Sequence, residues 1–274
     1  MDKKFSDLIP LVIFTSFMTV AAGLMCGITF IELFEPEMVF RFSNLHIITG
    51  ISVAGFSASF LHLAKKVRAV RAVTGVKTSW LSREIIFGSA FMISLFLIYF
   101  NQYSELGLSN HLLFPVVTLF ALLTVFSVGM VYNLPAQIAW KGSLNLYSPF
   151  VSALLLAVTY YQSQIDSSYL PVIILLCADF YFFTKRYKLL LSKKNIRIFH
   201  FPHLVIPSVI YLQIRGIITI LLLPLLLILG FVPFYLVGVL VVIDRITFYS
   251  SAIQINPDCG VAKVREQILR QAEI

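Results

Sequence analysis

Charged residues are scarce in this sequence. Asp, Glu, Lys and Arg together make up 12% of the 274 residues, whereas 59% are hydrophobic. Soluble globular domains carry about 25% charged residues, so this composition excludes an ordinary soluble enzyme and argues against a nucleic-acid-binding module. The composition indicates an integral membrane protein that is embedded in the lipid bilayer.

Cysteine is also rare. The three cysteines, Cys26, Cys177 and Cys259, lie far apart in the chain and form no CxxC pair. Iron-sulfur clusters and structural zinc sites need several closely spaced thiolates. We therefore predict that this chain holds no iron-sulfur cluster and no metal ion of its own.

Long apolar runs are what the sequence has in abundance. A helix needs about 20 apolar residues, at about 1.5 Å each, to cross a bilayer. Eight runs qualify: 8–31, 44–64, 84–101, 111–133, 146–163, 167–184, 208–230 and 231–250. We predict an all-α membrane protein, an eight-transmembrane-helix bundle that forms a single integral membrane domain over residues 1–274.

The basic residues support this topology. All but Arg41, Arg215 and Arg245 of the 21 Lys and Arg residues fall on one side of it. The largest groups are in the connections 65–83 and 185–207. The positive-inside rule then predicts that this side, with both termini, faces the cytoplasm.

A layer of polar residues is predicted close to the basic side. His62 ends the second span, Glu84 begins the third and Tyr132 ends the fourth. In the last two spans Arg215 and Asp244 fall at similar depth, so we predict an ion pair between them, with side chains within about 8 Å. Charges inside a bilayer usually face a partner or a cavity, and together these residues predict a polar pocket.

The chemistry of such a pocket fits oxidation of a quinol. That reaction releases two electrons and two protons, and it needs hydrogen-bond partners for two ring oxygens. A histidine can accept a proton near neutral pH, and a glutamate can carry it onward. The same groups would also serve a proton-coupled transporter, which stays an alternative.

A membrane cytochrome subunit that binds haem b is a further alternative. Such proteins hold the iron with two histidines from facing helices. On the predicted topology His46 and His111 share one face, whereas His62, His200 and His203 share the other. Most of these histidines lie at span ends or in a connection, where imidazoles are usually solvated, so we expect no haem on this chain.

Several short motifs resemble a known family. They are Leu61-His62-Leu63, then Arg68-Ala69, then Leu81-Ser82-Arg83-Glu84-Ile85, with 22 positions between His62 and Glu84. Tyr132-Asn133, and Arg245 followed by Phe248-Tyr249, agree more weakly. In order and spacing these segments resemble the membrane anchor subunit of dimethyl sulfoxide reductase.

The resemblance implies a function in anaerobic respiration. An anchor subunit of this family lies in the bacterial inner membrane, oxidises menaquinol and passes the electrons to a four-cluster iron-sulfur subunit, which is joined to a molybdopterin catalytic subunit. The catalytic residues of the quinol site would be His62 and Glu84, with Arg68 and Tyr132 as further quinol-binding residues. His62 would accept a proton at one quinol oxygen, Glu84 would carry it away, and Arg68 would orient the quinol or pair with a carboxylate.

Two features depart from that family. Ala64-Lys65-Lys66 stands where the family has Gly-x-Pro after His-Leu. In the family the catalytic partners dock on the outer face beside the quinol site, whereas the positive-inside rule places the 65–83 connection inside. Either the complex faces the cytoplasm, or the basic connections form a docking surface for an acidic partner.

Overall fold

The computed structural model describes residues 9–35, 42–62, 75–104, 107–133, 144–165, 168–191, 210, 213–229 and 234–250. These residues form eight helices and no strand. The helices are α1 (Ile9–Phe34), α2 (Phe42–His62), α3 (Trp80–Ser104), α4 (Asn110–Val131), α5 (Leu144–Gln164), α6 (Leu170–Leu191), α7 (Gln213–Ile228) and α8 (Phe234–Ser250). Each helix overlaps one of the eight predicted spans.

Three of the described helices, α1, α3 and α4, are long and apolar enough to cross a membrane. Helix α7 and the apolar part of α2, Leu45–Ser59, are shorter apolar helices. The all-helical membrane fold is therefore confirmed for the described residues. The number of crossings, eight, stays a prediction.

Helix α1 lies at the centre of the bundle. It contacts α2, α4, α5 and α8, and 16 of its 26 residues are buried. Glycines allow its close approach to α5, because a Cβ atom at Gly23 would lie 2.7 Å from the Ala153 carbonyl oxygen, and one at Gly27 would lie 2.8 Å from that of Ala157. Small residues of this kind are typical of packed membrane helices.

Helix α2 joins α1 to α3 through small residues on both sides. Ser52 and Gly55 are buried, and a Cβ atom at Gly55 would lie 2.9 Å from Phe17 Cβ of α1. On the other side the Phe56 ring covers Gly88 of α3, where a Cβ atom would lie 2.8 Å from Phe56 Cε2. This contact sets the relative depth of α2 and α3.

Helix α7 contains one irregular segment. Residues Ile218–Leu222 form a π-helical turn, and Pro224 follows at the start of the α-helical part Leu223–Ile228. Proline has no backbone N–H group to donate to the preceding turn, and irregular turns of this kind commonly relieve that defect. The first turn of α7, which carries Arg215, precedes the irregular segment.

Candidate functional site

Glu84 lies one turn inside α3 and is buried, with 8% of its surface exposed. Hydrogen bonds between residues close in sequence hold the start of this helix in place. The Ser79 hydroxyl oxygen accepts a hydrogen bond from the backbone N–H of Ser82 at 3.4 Å, a typical N-terminal cap. The Arg83 side chain donates to the carbonyl oxygens of Val76 and Lys77 at 2.9 and 3.0 Å. Glu84 is therefore held at a defined position, with its side chain turned into the bundle.

The Glu84 carboxyl group is not fully satisfied in its buried position. Its Oε2 atom has no hydrogen-bond partner among the residues that the structure describes. A buried polar atom without a partner is costly, and such atoms are tolerated mainly where they serve a function. The sequence placed Glu84 in a polar layer, and the structure adds that one of its carboxyl oxygens has no partner among the described residues.

His62 is the last residue of α2, and its side chain lies outside the described residues. Its depth still follows from the Phe56–Gly88 contact. Along its helix axis His62 lies about 9 Å beyond Phe56, and Glu84 lies about 6 Å beyond Gly88 in the same direction, at about 1.5 Å per residue. Both residues therefore lie toward the same end of the bundle. Arg68, the other residue of the resemblance, falls in residues 63–74, outside the described part.

Two tyrosines interact electrostatically with Glu84. Tyr132 directly follows α4 and is half-buried, whereas Tyr249 of α8 is 1% exposed. Their ring centroids are 5.3 Å apart and their planes are perpendicular, at 89°. The charge of Glu84 acts electrostatically on both phenols, and Tyr249 belongs to one buried apolar cluster with Val12 of α1. This part of the site therefore contains residues of α1, α3, α4 and α8.

A network of buried charges continues from Tyr249 into α6 and α7. Its members are Asp179, Arg186, Arg215, Asp244 and Arg245, all at most 5% exposed. Arg186 Nη1 donates to Asp244 Oδ1 at 2.8 Å, and Arg215 Nη2 donates to Asp179 Oδ1 at 2.7 Å. Arg245 Nη2 lies 3.8 Å from Asp244 Oδ2, and the Ser148 hydroxyl of α5 donates to the same oxygen at 3.4 Å. We call these five charged residues the charge network.

The ion pair expected from the sequence lies inside this network. Arg215 Nε is 3.4 Å from Asp244 Oδ1, well within the expected 8 Å. Arg215 has a shorter contact with Asp179, however, and Asp244 has its shortest contact with Arg186. The sequence analysis assigned Arg186 to a connection because the sixth span was predicted to end at 184, whereas α6 continues to Leu191. The spacing of seven residues between Asp179 and Arg186, two helical turns, could have indicated a shared face.

Two of the histidines considered for a haem site, His46 and His111, lie at the other end of the bundle, whereas His200 and His203 lie outside the described residues. His46 Nδ1 is 2.8 Å from the Tyr99 hydroxyl, and the two rings stack with centroids 5.3 Å apart. His111 Nδ1 is 3.7 Å from Glu32 Oε1, and the His111 side chain is 56% exposed. Each of these two histidines therefore has a local polar neighbour, and no group of three metal-ligating side chains occurs in the described part of the sequence.

Comparison with known proteins identifies the family. The family described as DMSO reductase anchor subunit (DmsC) matches residues 1–223, more than half of the chain. The chain belongs to this DmsC family. The C subunit of the anaerobic dimethyl sulfoxide reductase of Haemophilus influenzae is 27% identical over 157 residues, which cover 55% of this chain and 56% of that relative. The resemblance seen in the motifs is thus confirmed.

The chain is therefore a member of a family described as DMSO reductase anchor subunits. The family match includes α2, α3 and α4, and therefore His62, Glu84 and Tyr132. It ends within α7, so α8 lies outside the matched residues. Asp244, Arg245 and Tyr249 therefore lie outside the family match and are joined to the matched helices by structural contacts alone, such as those of Asp244 with Arg186 and Arg215.

Proposed function

We propose that this chain is the menaquinol-oxidising subunit of its complex and that it passes electrons to an iron-sulfur partner during anaerobic respiration. The observation that carries the proposal is the Glu84 carboxyl group, which is buried and has one oxygen without a partner among the described residues. It lies toward the same end of the bundle as His62. A proton-accepting pair at the end of one membrane helix and the start of the next is what a quinol needs.

The reaction divides between this chain and its partners. Menaquinol loses two electrons and two protons and leaves as menaquinone. His62 binds one quinol oxygen and accepts its proton, and Glu84 receives protons and carries them away from the ring. Arg68 orients the headgroup, and the Tyr132 phenol provides a further hydrogen-bonding group beside Glu84.

The electrons have to leave this chain. Its three cysteines form no cluster motif, so the acceptor is a four-cluster iron-sulfur subunit bound to the anchor, which in turn serves a molybdopterin catalytic subunit. The bacterial inner membrane, which contains menaquinol, is the location that such a complex requires. The terminal electron acceptor is determined by the catalytic subunit.

Two substitutions test the site in the assembled complex. We expect His62→Ala and Glu84→Gln each to lower menaquinol-driven reductase activity at least about 100-fold, the usual contribution of a positioned acid or base. The same preparations should keep full activity with a reduced viologen dye, because the dye delivers electrons directly to the partner subunits. Glu32→Gln, a carboxylate at the other end of the bundle, is the matched control and should keep both activities.

Menaquinol-driven rates that are unchanged in both variants would contradict the proposal. Proton-coupled uptake of a solute by vesicles that contain only this chain would favour the transporter. A Soret band in the purified chain would instead favour a haem-binding subunit. Purification of the native complex together with an iron-sulfur protein separates the proposed function from both alternatives.

A further inference from the structure

Helix α6 carries a stripe of exposed residues along one side. The members of this α6 stripe are Leu170, Ile174, Cys177, Tyr181, Lys185 and Lys188. Residues three and four positions apart lie on the same side of an α-helix, so the stripe runs along most of the helix. Asp179 and Arg186 lie on the opposite side, where they belong to the buried charge network. The stripe is apolar at its start and basic at its far end, with Tyr181 between the two parts.

The apolar part of the α6 stripe has the length of an acyl chain. Leu170 is 61% exposed and Ile174 is 59% exposed. From Leu170 to Tyr181 the stripe extends about 16 Å along the helix axis, at about 1.5 Å per residue. One leaflet of a bilayer has a hydrocarbon layer of about 15 Å, half of the total thickness. This part of α6 also overlaps the predicted span 167–184, so its exposed apolar side chains face lipid.

The basic part of the α6 stripe begins on an aromatic platform, which consists of Tyr147, Tyr181 and Phe182. Lys185 Nζ lies 4.7 Å from the centroid of the Tyr181 ring, a distance typical of a cation–π contact. The Tyr181 and Phe182 rings meet edge to face at 5.4 Å, and Phe182 stacks on Tyr147 of α5 at 6.2 Å. The platform therefore holds the ammonium group at a defined place on the surface of α5 and α6.

The basic residues of α6 differ in how their charges are balanced. The buried Arg186 donates to the Asp244 carboxylate at 2.8 Å. Lys185 and Lys188 are exposed, and neither forms a salt bridge with a carboxylate in the described part of the chain. The two lysines lie three positions apart and hence on the same side of α6. Together they offer two positive charges to one anion.

We propose that the α6 stripe binds an anionic phospholipid, with its phosphate at Lys185 and Lys188 and an acyl chain along Ile174 and Leu170. Phosphate oxygens accept charge-assisted hydrogen bonds from ammonium groups, and basic residues next to a membrane span attract anionic headgroups. Tyrosine is typical of this headgroup level. An acidic protein would satisfy only the lysines, whereas a phospholipid accounts for the charge and for the apolar length below it. The site does not depend on the quinol chemistry proposed above.

The test compares two photoactivatable lipids, phosphatidylglycerol and phosphatidylcholine, each with a diazirine group in an acyl chain. The full chain is purified in detergent, incubated with either lipid and irradiated, and labelled peptides are quantified by mass spectrometry. We expect phosphatidylglycerol to label residues 170–181 at least about fivefold more than phosphatidylcholine, because one basic residue near an anionic headgroup contributes about that factor. Equal labelling by the two lipids would overturn the proposal, since it would show an apolar surface without headgroup recognition.

Substitutions at the platform test the position of the headgroup. Lys185→Gln should lower labelling by phosphatidylglycerol about fivefold and leave labelling by phosphatidylcholine unchanged. Tyr181→Phe keeps the ring face below the ammonium and should be labelled like the wild type, whereas Tyr181→Leu should lose about threefold. Both positions are exposed, so these variants should fold. Unchanged labelling of Lys185→Gln would overturn the assignment of the phosphate to this residue.

Lys77→Gln is the matched control. Lys77 is also an exposed lysine on the predicted basic side, in the turn before α3, but it forms no cation–π contact with a described ring. We expect labelling of residues 170–181 to stay at the wild-type level. If Lys77→Gln lowered this labelling as much as Lys185→Gln, the general positive field of the basic side would be the cause and the α6 stripe would not be a site.

Two further measurements identify the occupant. An excess of inorganic phosphate should displace phosphatidylglycerol no more than sodium chloride at equal ionic strength, because phosphate lacks the acyl chain that packs on Ile174 and Leu170. Selective displacement by phosphate would show a site for the free anion and contradict a lipid site. The labelling should also persist when the chain is purified within its complex. Its complete loss there would show that a partner subunit covers the stripe, and the proposal would be wrong.

Discussion

The two ends of the helix bundle differ in how they hold their polar residues. One end, the basic end, contains Glu84, the two tyrosines and the charge network, almost all of them buried. At the opposite end, the ionisable groups of the His46–Tyr99 and His111–Glu32 pairs are close to the surface. Burial of charge is costly even when the charges are paired, and surface pairs contribute little to stability. Among the described residues, buried charged side chains occur at the end where the proposed quinol site lies.

The connections at the two ends show the same difference. At the opposite end the connection between α3 and α4 is short, with Gly107 at a φ of 69°. The Asn101 side chain binds the backbone of Leu108 through two hydrogen bonds of 2.9 and 3.0 Å. Such a turn needs only local contacts. The basic end is instead joined by side chains from α5, α6, α7 and α8, so its structure depends on the packing of the whole bundle.

The largest effect on stability is expected from Asp244→Asn. This change keeps the shape of the side chain but removes the carboxylate that Arg186, Arg215 and Arg245 share. Loss of one partner from a buried ion pair costs about 3–5 kcal/mol. We expect a clearly lowered unfolding temperature of the purified complex in detergent, measured by the change in intrinsic fluorescence.

Glu32→Gln at the opposite end is the control for this comparison. It removes the carboxylate from a pair whose His111 partner is 56% exposed, so we expect a loss of at most about 1 kcal/mol. If both variants lowered the unfolding temperature equally, the contrast between a buried and a solvent-facing end would be wrong.

A smaller effect is expected from Gly23→Ala in the helix that runs through both ends. The added Cβ atom would lie 2.7 Å from the Ala153 carbonyl oxygen, which is backbone and cannot turn away. Helices α1 and α5 would have to separate, at a cost of about 1–3 kcal/mol. The measurement is again the unfolding temperature, and menaquinol-driven activity should fall with it because Thr15 and Ser148 shift relative to α8.

Gly50→Ala makes the same substitution at a position that has room for the added methyl group. No atom lies within 4 Å of a Cβ atom at Gly50 in α2, and alanine favours a helix over glycine by about 1 kcal/mol. We expect this variant to be as stable as the wild type or slightly more stable. If Gly50→Ala were destabilised to the same extent as Gly23→Ala, the loss of stability in Gly23→Ala would not come from the close packing of α1 against α5.

Much of the basic end could be predicted from the sequence, because depth in a membrane follows from counting residues along apolar runs. Counting placed Arg215 and Asp244 at one level and Glu84 near His62. It could not identify Arg186, because the basic sequence after 184 resembles a surface connection although the helix continues to Leu191. The buried cluster of Val12, Phe248 and Tyr249 joins the first and last helices, and no local pattern in either helix indicates it.

The smallest effect, and the sharpest test of the contrast between the ends, is expected for the histidines of the opposite end. His46→Gln and His111→Gln remove an imidazole from residues whose partners are Tyr99 and Glu32. Glutamine preserves hydrogen-bonding ability, and surface changes of this kind alter stability by at most about 0.5 kcal/mol. We expect menaquinol-driven and viologen-driven rates within about twofold of wild type. A selective loss of the menaquinol-driven rate as large as that of Glu84→Gln would place the quinol at the opposite end, because the dye-driven rate reports only on the partner subunits.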